Sequence, residues 1–113
     1  MSGRLAQRFY VITAEPTETA AARSVATDAH LAWLADLQAR GVLLLAGPFC
    51  DERGVSTGGG MFIIRAASLA DAEAIAATDP YNAHRFRIAH VRPWRVDQAQ
   101  ASLVQTLSQG SDP

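Results

Sequence analysis

The chain predicts an α+β fold in which an antiparallel four-stranded sheet carries two helices on one face. Three observations lead to it. Residues 8–14 (RFYVITA), 42–49 (VLLLAGPF), 61–66 and 86–96 are aromatic, β-branched or apolar runs of strand length. Residues 19–40 and 69–78 are Ala-rich, contain no Gly or Pro, and read as helices. The order along the chain is β-α-β-β-α-β, the split βαβ or ferredoxin-like arrangement.

Each element has its own signal. In residues 8–14, Phe9, Val11 and Thr13 point one way and Tyr10 and Ile12 the other. Pro16 ends that strand. The first helix spans residues 19–40, and Gly41 is suited to stop it. Residues 42–49 are too short for another helix and read as a buried strand. Residues 50–57 are polar and turn-like. Gly58, Gly59 and Gly60 lead into the third strand, with hairpin geometry or a mobile loop as their expected use. Ser68 is placed to cap the second helix, with Asp71 three residues on. Asp79-Pro80 ends it, because a residue before Pro avoids the α region. A turn or short helix covers residues 81–84. Pro93 cannot donate a ladder hydrogen bond, so residues 86–96 read as an edge strand. Residues 1–96 then form one domain. Residues 97–113 form a polar tail in which Leu103, Val104 and Leu107 space out one amphipathic helix. The sheet face without helices is bare in this arrangement, and a homodimer packed sheet to sheet would cover it.

Composition narrows the chemistry. The chain has 113 residues, with ten basic residues, all Arg, against eleven acidic ones and a net charge of −1. Without Lys there is no Schiff-base chemistry and no phosphate-loop lysine. The single cysteine, Cys50, gives no intrachain disulfide and no Cys-rich zinc site. Near-zero net charge supplies no electrostatic footprint for nucleic acid or an anionic membrane. No apolar run approaches the roughly 18–20 residues that span a bilayer. Residues 1–8 lack a secretory-signal layout, so a cytoplasmic location is expected. Ala accounts for 22 of the residues. Against that background, large or polar side chains on the inner faces of the helices stand out.

Two polar residues fall on those inner faces. At ~100° per residue, Arg23, Ala26, His30, Trp33, Leu34 and Leu37 share one stripe of the first helix. In the second helix Leu69, Ala72, Ile75 and Ala76 face inward, and Asp79 falls in line at the end. A carboxylate at a helix C-terminus is electrostatically unfavourable unless a donor is nearby. Both helices lie on one side of the sheet, so His30 and Asp79 are expected to meet in the crevice beneath them. A carboxylate beside an imidazole fixes its tautomer and makes it a general base. The structural alternative is a satisfied core histidine and a capped turn residue.

Four short motifs carry a resemblance. His30-Leu31, Ala46-Gly47-Pro48, Asp79-Pro80-Tyr81 and Val91-Arg92-Pro93-Trp94 occur in an order and spacing similar to the YciI-like (YCII-related) family. The resemblance implies a dimeric α+β barrel with a pocket centred on His30 and Asp79 as the catalytic pair. It places Arg23 at a basic substrate-binding position and Gly47 and Pro48 at a strand end lining the pocket. It also implies acid–base chemistry on a small cyclic or aromatic compound: elimination, dehydrochlorination or isomerisation. No cofactor and no metal are expected. Trp33 and Tyr81, adjacent to the pair, are the candidate walls for an aromatic substrate.

The remaining candidates are weaker. His84 and His90 lack the spacing of metal ligands. Arg85, Arg87, Arg92 and Arg95 read as a solvated strand edge that resists edge-to-edge pairing, with anion binding as the lesser alternative. Cys50 reads as an incidental thiol at a strand end. Two functions follow. The first is a cofactor-free acid–base enzyme with His30 as base, Asp79 as its partner and Arg23 on substrate charge. The second is a non-catalytic small-molecule-binding or regulatory dimer whose tail contacts another protein.

Overall fold

The computed structural model describes residues 4–108. Strand β1 (Arg4–Pro16) is followed by α1 (Ala20–Arg23), a 3₁₀ turn (Ser24–Ala26) and α2 (Thr27–Ala39). Strands β2 (Leu43–Cys50) and β3 (Ser56–Ile64) form a hairpin. Then come α3 (Leu69–Ala77), α4 (Pro80–Ala83), β4 (Arg87–Gln98) and α5 (Ala101–Ser108). The sheet runs β2-β3-β1-β4 with every neighbour antiparallel.

Strand periodicity sorts the core as expected. Tyr10, Ile12 and Ala14 of β1 join Phe62 and Ile64 of β3 beneath Ala72 and Ala76 of α3. Phe9, Ile63 and Val96 point to the opposite face. Small inward residues let α3 lie close to the sheet, but Leu69 is out of line with them and 40% exposed. The Ser68 cap forms, its hydroxyl accepting from Asp71 N–H at 3.1 Å.

Gly41 closes α2 with paired hydrogen bonds. Its N–H reaches Gln38 O at 3.1 Å, and Val42 N–H reaches Leu37 O at 2.9 Å. This ending requires a left-handed residue, and Gly41 has φ +72°. The same pattern closes α4, with Arg85 N–H on Asn82 O and Phe86 N–H on Tyr81 O. Here the left-handed residue is Arg85, at φ +61°. An L side chain is strained in that conformation. Arg85→Gly is therefore expected to stabilise the fold by about 0.5–1 kcal/mol, read as a higher midpoint in urea.

Several expectations change. The sheet is open and does not form the expected barrel. Its edges are β2 and β4, each paired on one side only, and four strands are too few to close on themselves. The second face is not wholly bare. Helix α5 lies over it, with Leu107 against the Phe9, Ile63 and Val96 cluster, which covers part of that face within the chain itself. Strand β2 is an edge strand rather than a buried one, with residues 45–50 all exposed. Strand β4 is the other edge, as Pro93 suggests.

The long first helix is interrupted. The hydroxyls of Ser24 and Thr27 return to the Ala21 and Arg23 carbonyls, at 2.6 and 3.4 Å. Such back-bonding competes with the helix ladder and tightens the turn there. No described helix is long and apolar enough to cross a membrane.

Candidate active site

The last turn of α3 and the first turn of α4 meet at Asp79. The residue ends one helix and caps the next: its Oδ1 accepts from Tyr81 N–H at 3.0 Å. A carboxylate at a helix start is electrostatically favourable, so the short helix beginning at Pro80 resolves the conflict that a bare C-terminal carboxylate would face. The same Oδ1 lies 2.7 Å from Nδ1 of His30. Both side chains are buried, 8% exposed for His30 and 5% for Asp79.

His30 comes from the first turn of α2, on the stripe that also buries Ala26 and Leu37. Its ring stacks on Tyr81 at 4.2 Å between centroids. Tyr81 is pinned in turn by a 2.8 Å hydrogen bond between its hydroxyl and Thr27 Oγ1. The imidazole is thus held at Nδ1 by a carboxylate and on its face by a ring. With Nδ1–H donated to Asp79, Nε2 carries the lone pair. Among the described residues no hydrogen bond engages Nε2, and no buried side-chain nitrogen or oxygen is left without a partner. His30 lines a cavity of about 310 Å3 with Leu34, Gly47, Pro48, Phe62, Tyr81 and Arg87. Clefts of about 630 and 450 Å3 lie elsewhere on the surface. Of these three, the 310 Å3 cavity is the one that brings an imidazole, a phenol ring and a guanidinium together, and converging polar groups in a mostly apolar wall are the mark of a small-molecule site.

The candidate residues divide. His30, Gly47, Pro48 and Tyr81 border one cavity, with Asp79 directly behind His30. Trp33 stands behind the pair, its ring 5.9 Å from His30 and its indole N–H donated to Thr78 Oγ1 at 2.9 Å. Arg23 does not line the cavity. The 3₁₀ turn shifts it off the α2 stripe, and its guanidinium is held by the Glu18 carbonyl. His84 and His90 are exposed, and no group of three or more His, Cys, Asp or Glu among the described residues is arranged to hold a metal. Cys50 is an exposed free thiol.

Arg87 is the residue that sequence reasoning missed. It is not a solvated edge residue but is 8% exposed. Its Nε donates to Gly58 O at 3.0 Å, and its guanidinium lies over the Tyr81 ring at 4.7 Å. Burial holds its pKa below the ordinary arginine value; the charges of Asp79 and Tyr81 oppose that shift and Arg23 adds to it. The glycine tract makes room for it. Gly58, Gly59 and Gly60 are not a loop but buried positions of β3. The signal available in the sequence was the pairing of three small residues with an Arg at the start of a strand, and only the sheet register joins them.

Comparison with known proteins agrees with this architecture. A family model for the YCII-related domain matches residues 8–95. The chain belongs to the YCII-related family. Among solved structures, this YCII-related chain is similar to 5-chloro-2-hydroxyhydroquinone dehydrochlorinase (TftG) from Burkholderia phenoliruptrix AC1100, in complex with 2,5-dihydroxybenzoquinone. The TM-score is 0.62 at 21% identity, over 77% of this chain and 93% of that one. That likeness is one of fold. No curated protein matches the chain.

Proposed function

We propose that this YCII-related protein is an acid–base enzyme acting on a small, flat organic compound, with His30 and Asp79 as its catalytic pair. The observation that carries the reading is the 2.7 Å His30–Asp79 contact, which commits Nδ1 of a histidine that lines the cavity and leaves Nε2 as its basic nitrogen. Nε2 takes a proton from a ring carbon or ring hydroxyl of the substrate. Asp79 stabilises the imidazolium that results and keeps the tautomer correct. In an elimination, the electron pair left behind forms the new double bond and chloride leaves with the carbon–chlorine pair. In an isomerisation, the imidazolium returns the proton to another atom of the same substrate. The dehydrochlorinase that shares the fold favours the first course, because a proton and a chloride can be removed by one base without a redox group. Phe62, Pro48 and Leu34 supply apolar walls for a ring, and Tyr81 fixes the base.

The test is a panel of hydroxylated and chlorinated ring compounds incubated in D2O. The wild-type protein is expected to release chloride or exchange ring protons for deuterium, and His30→Ala to do neither. Equal rates in both proteins, or no reaction across the panel, would favour the ligand-binding alternative.

A further inference from the structure

We propose that the cavity takes its substrate as an anion: a planar ring compound whose ionised oxygen, a carboxylate or an ionised ring hydroxyl, is bound by Arg87. The proposal rests on the same cavity as the acid–base reading and adds the charge of what enters it.

Buried charge is the first ground. Arg87 is nine-tenths buried, yet no carboxylate pairs with it among the described residues. The one buried acid nearby, Asp79, is already engaged by His30 and Tyr81 N–H. The Nη groups of Arg87 have no partner among the described residues and are not among the fully buried polar atoms, so the charge is partly desolvated yet open to an anion from outside.

Geometry is the second ground. The only hydrogen bond described for the guanidinium is from Nε to Gly58 O. That bond fixes the plane of the fork and leaves both Nη groups free to donate. An arginine anchored in this way offers paired donors suited to an oxyanion. Tyr81 joins this group to the base, since its ring contacts both the His30 imidazole and the Arg87 guanidinium, at 4.2 and 4.7 Å. His30 and Arg87 line the same cavity, so a ring compound with its oxyanion on Arg87 occupies space that His30 also borders.

A second cation adds to the field. A side chain at Gly58 would stand 3.1 Å from Arg23 Nη2, and one at Gly60 would stand 3.6 Å from Arg87 Nη1. Both guanidiniums thus border the same glycine tract. Arg23, outside the cavity, adds positive charge beside the glycine tract, and Arg87 makes the contact.

The experiment compares anions with neutral partners of the same shape, by NMR titration of the wild-type protein. The pairs are benzoate with benzamide, and 4-nitrophenolate with 4-nitroanisole. At least one anion is expected to bind about tenfold more tightly than its partner, with shifts at His30 and Tyr81. The better anion tells whether a carboxylate or an ionised hydroxyl is the preferred group. Arg87→Gln is expected to abolish the preference, and Arg87→Lys to keep part of it. No preference in either pair, or a preference that survives in Arg87→Gln, overturns the proposal; the wild-type comparison decides even if the variants fail to fold. His30→Ala separates this proposal from the acid–base reading. Retained anion preference in that variant with unchanged turnover would sink the base and leave the anion site standing.

Discussion

Replacing His30 with Ala is expected to lower turnover by about 100- to 10,000-fold, the usual worth of a positioned general base. The loss should appear in kcat more than in KM, because Nε2 acts on a proton in flight. Asp79→Asn is a sharper version of the test. Asparagine keeps the shape and an acceptor oxygen for His30 and for Tyr81 N–H. It removes the charge that stabilises the imidazolium, so kcat is expected to fall by a similar factor while the fold persists. Asp79→Ala would add a stability defect. It strands a buried imidazole N–H and a backbone N–H, at about 1–3 kcal/mol each, and should lower the urea midpoint markedly. If Asp79→Asn retained full kcat on a substrate that needs His30, the carboxylate would be a helix cap and nothing more.

Gly59→Ala is expected to have the largest effect on stability. A Cβ there would stand 2.5 Å from the Ala14 carbonyl oxygen, and that oxygen belongs to the central strand β1. Backbone cannot step aside as a flexible side chain can, so the β1–β3 register beside Ala14 and Gly60 must break. A loss of about 3 kcal/mol or failure to fold is predicted, measured by thermal and urea unfolding. Gly47→Ala is the control. Its Cβ would meet nothing within 4 Å, and the change should alter stability by less than about 1 kcal/mol. A Gly59→Ala protein as stable as the wild type would mean that β3 does not lie as close to the Ala14 carbonyl as the structure has it.

The meeting of His30 and Asp79 was legible because periodicity decides which face a residue joins. His30 shares the α2 stripe with Ala26 and Leu37, and Asp79 sits where α3 must end before Pro80. One sheet face beneath both helices then brings them together. The cap at Ser68 and the stop at Gly41 were legible for a similar reason, since each depends on a few neighbouring residues.

What was not legible depends on contacts distant in sequence or on a small local choice. Arg23 has the right spacing for the inner stripe, yet back-bonding by Ser24 and Thr27 rephases the helix just after it. Arg87 reads as a charged strand end because it clusters with Arg85, Arg92 and Arg95 near the last strand. It is buried only because β3, far away in the chain, presents a glycine carbonyl and no side chains at that point. The cover that α5 gives the second face was likewise not legible, since three spaced apolar residues do not say which surface they will meet. The expected dimeric barrel failed at the same level: strand order follows from the chain, but curvature and closure do not, and the sheet stays open with β2 and β4 as its edges.

The most direct test is the protonation state of His30 at each ring nitrogen, read by long-range 1H–15N correlation NMR on the wild-type protein. A carboxylate at Nδ1 requires the neutral ring to carry its proton there, leaving Nε2 without one. A cross-peak pattern of that tautomer, lost in Asp79→Ala, is the predicted result. A neutral ring protonated at Nε2 would contradict the account, because the cavity would then face a donor and the base would be missing.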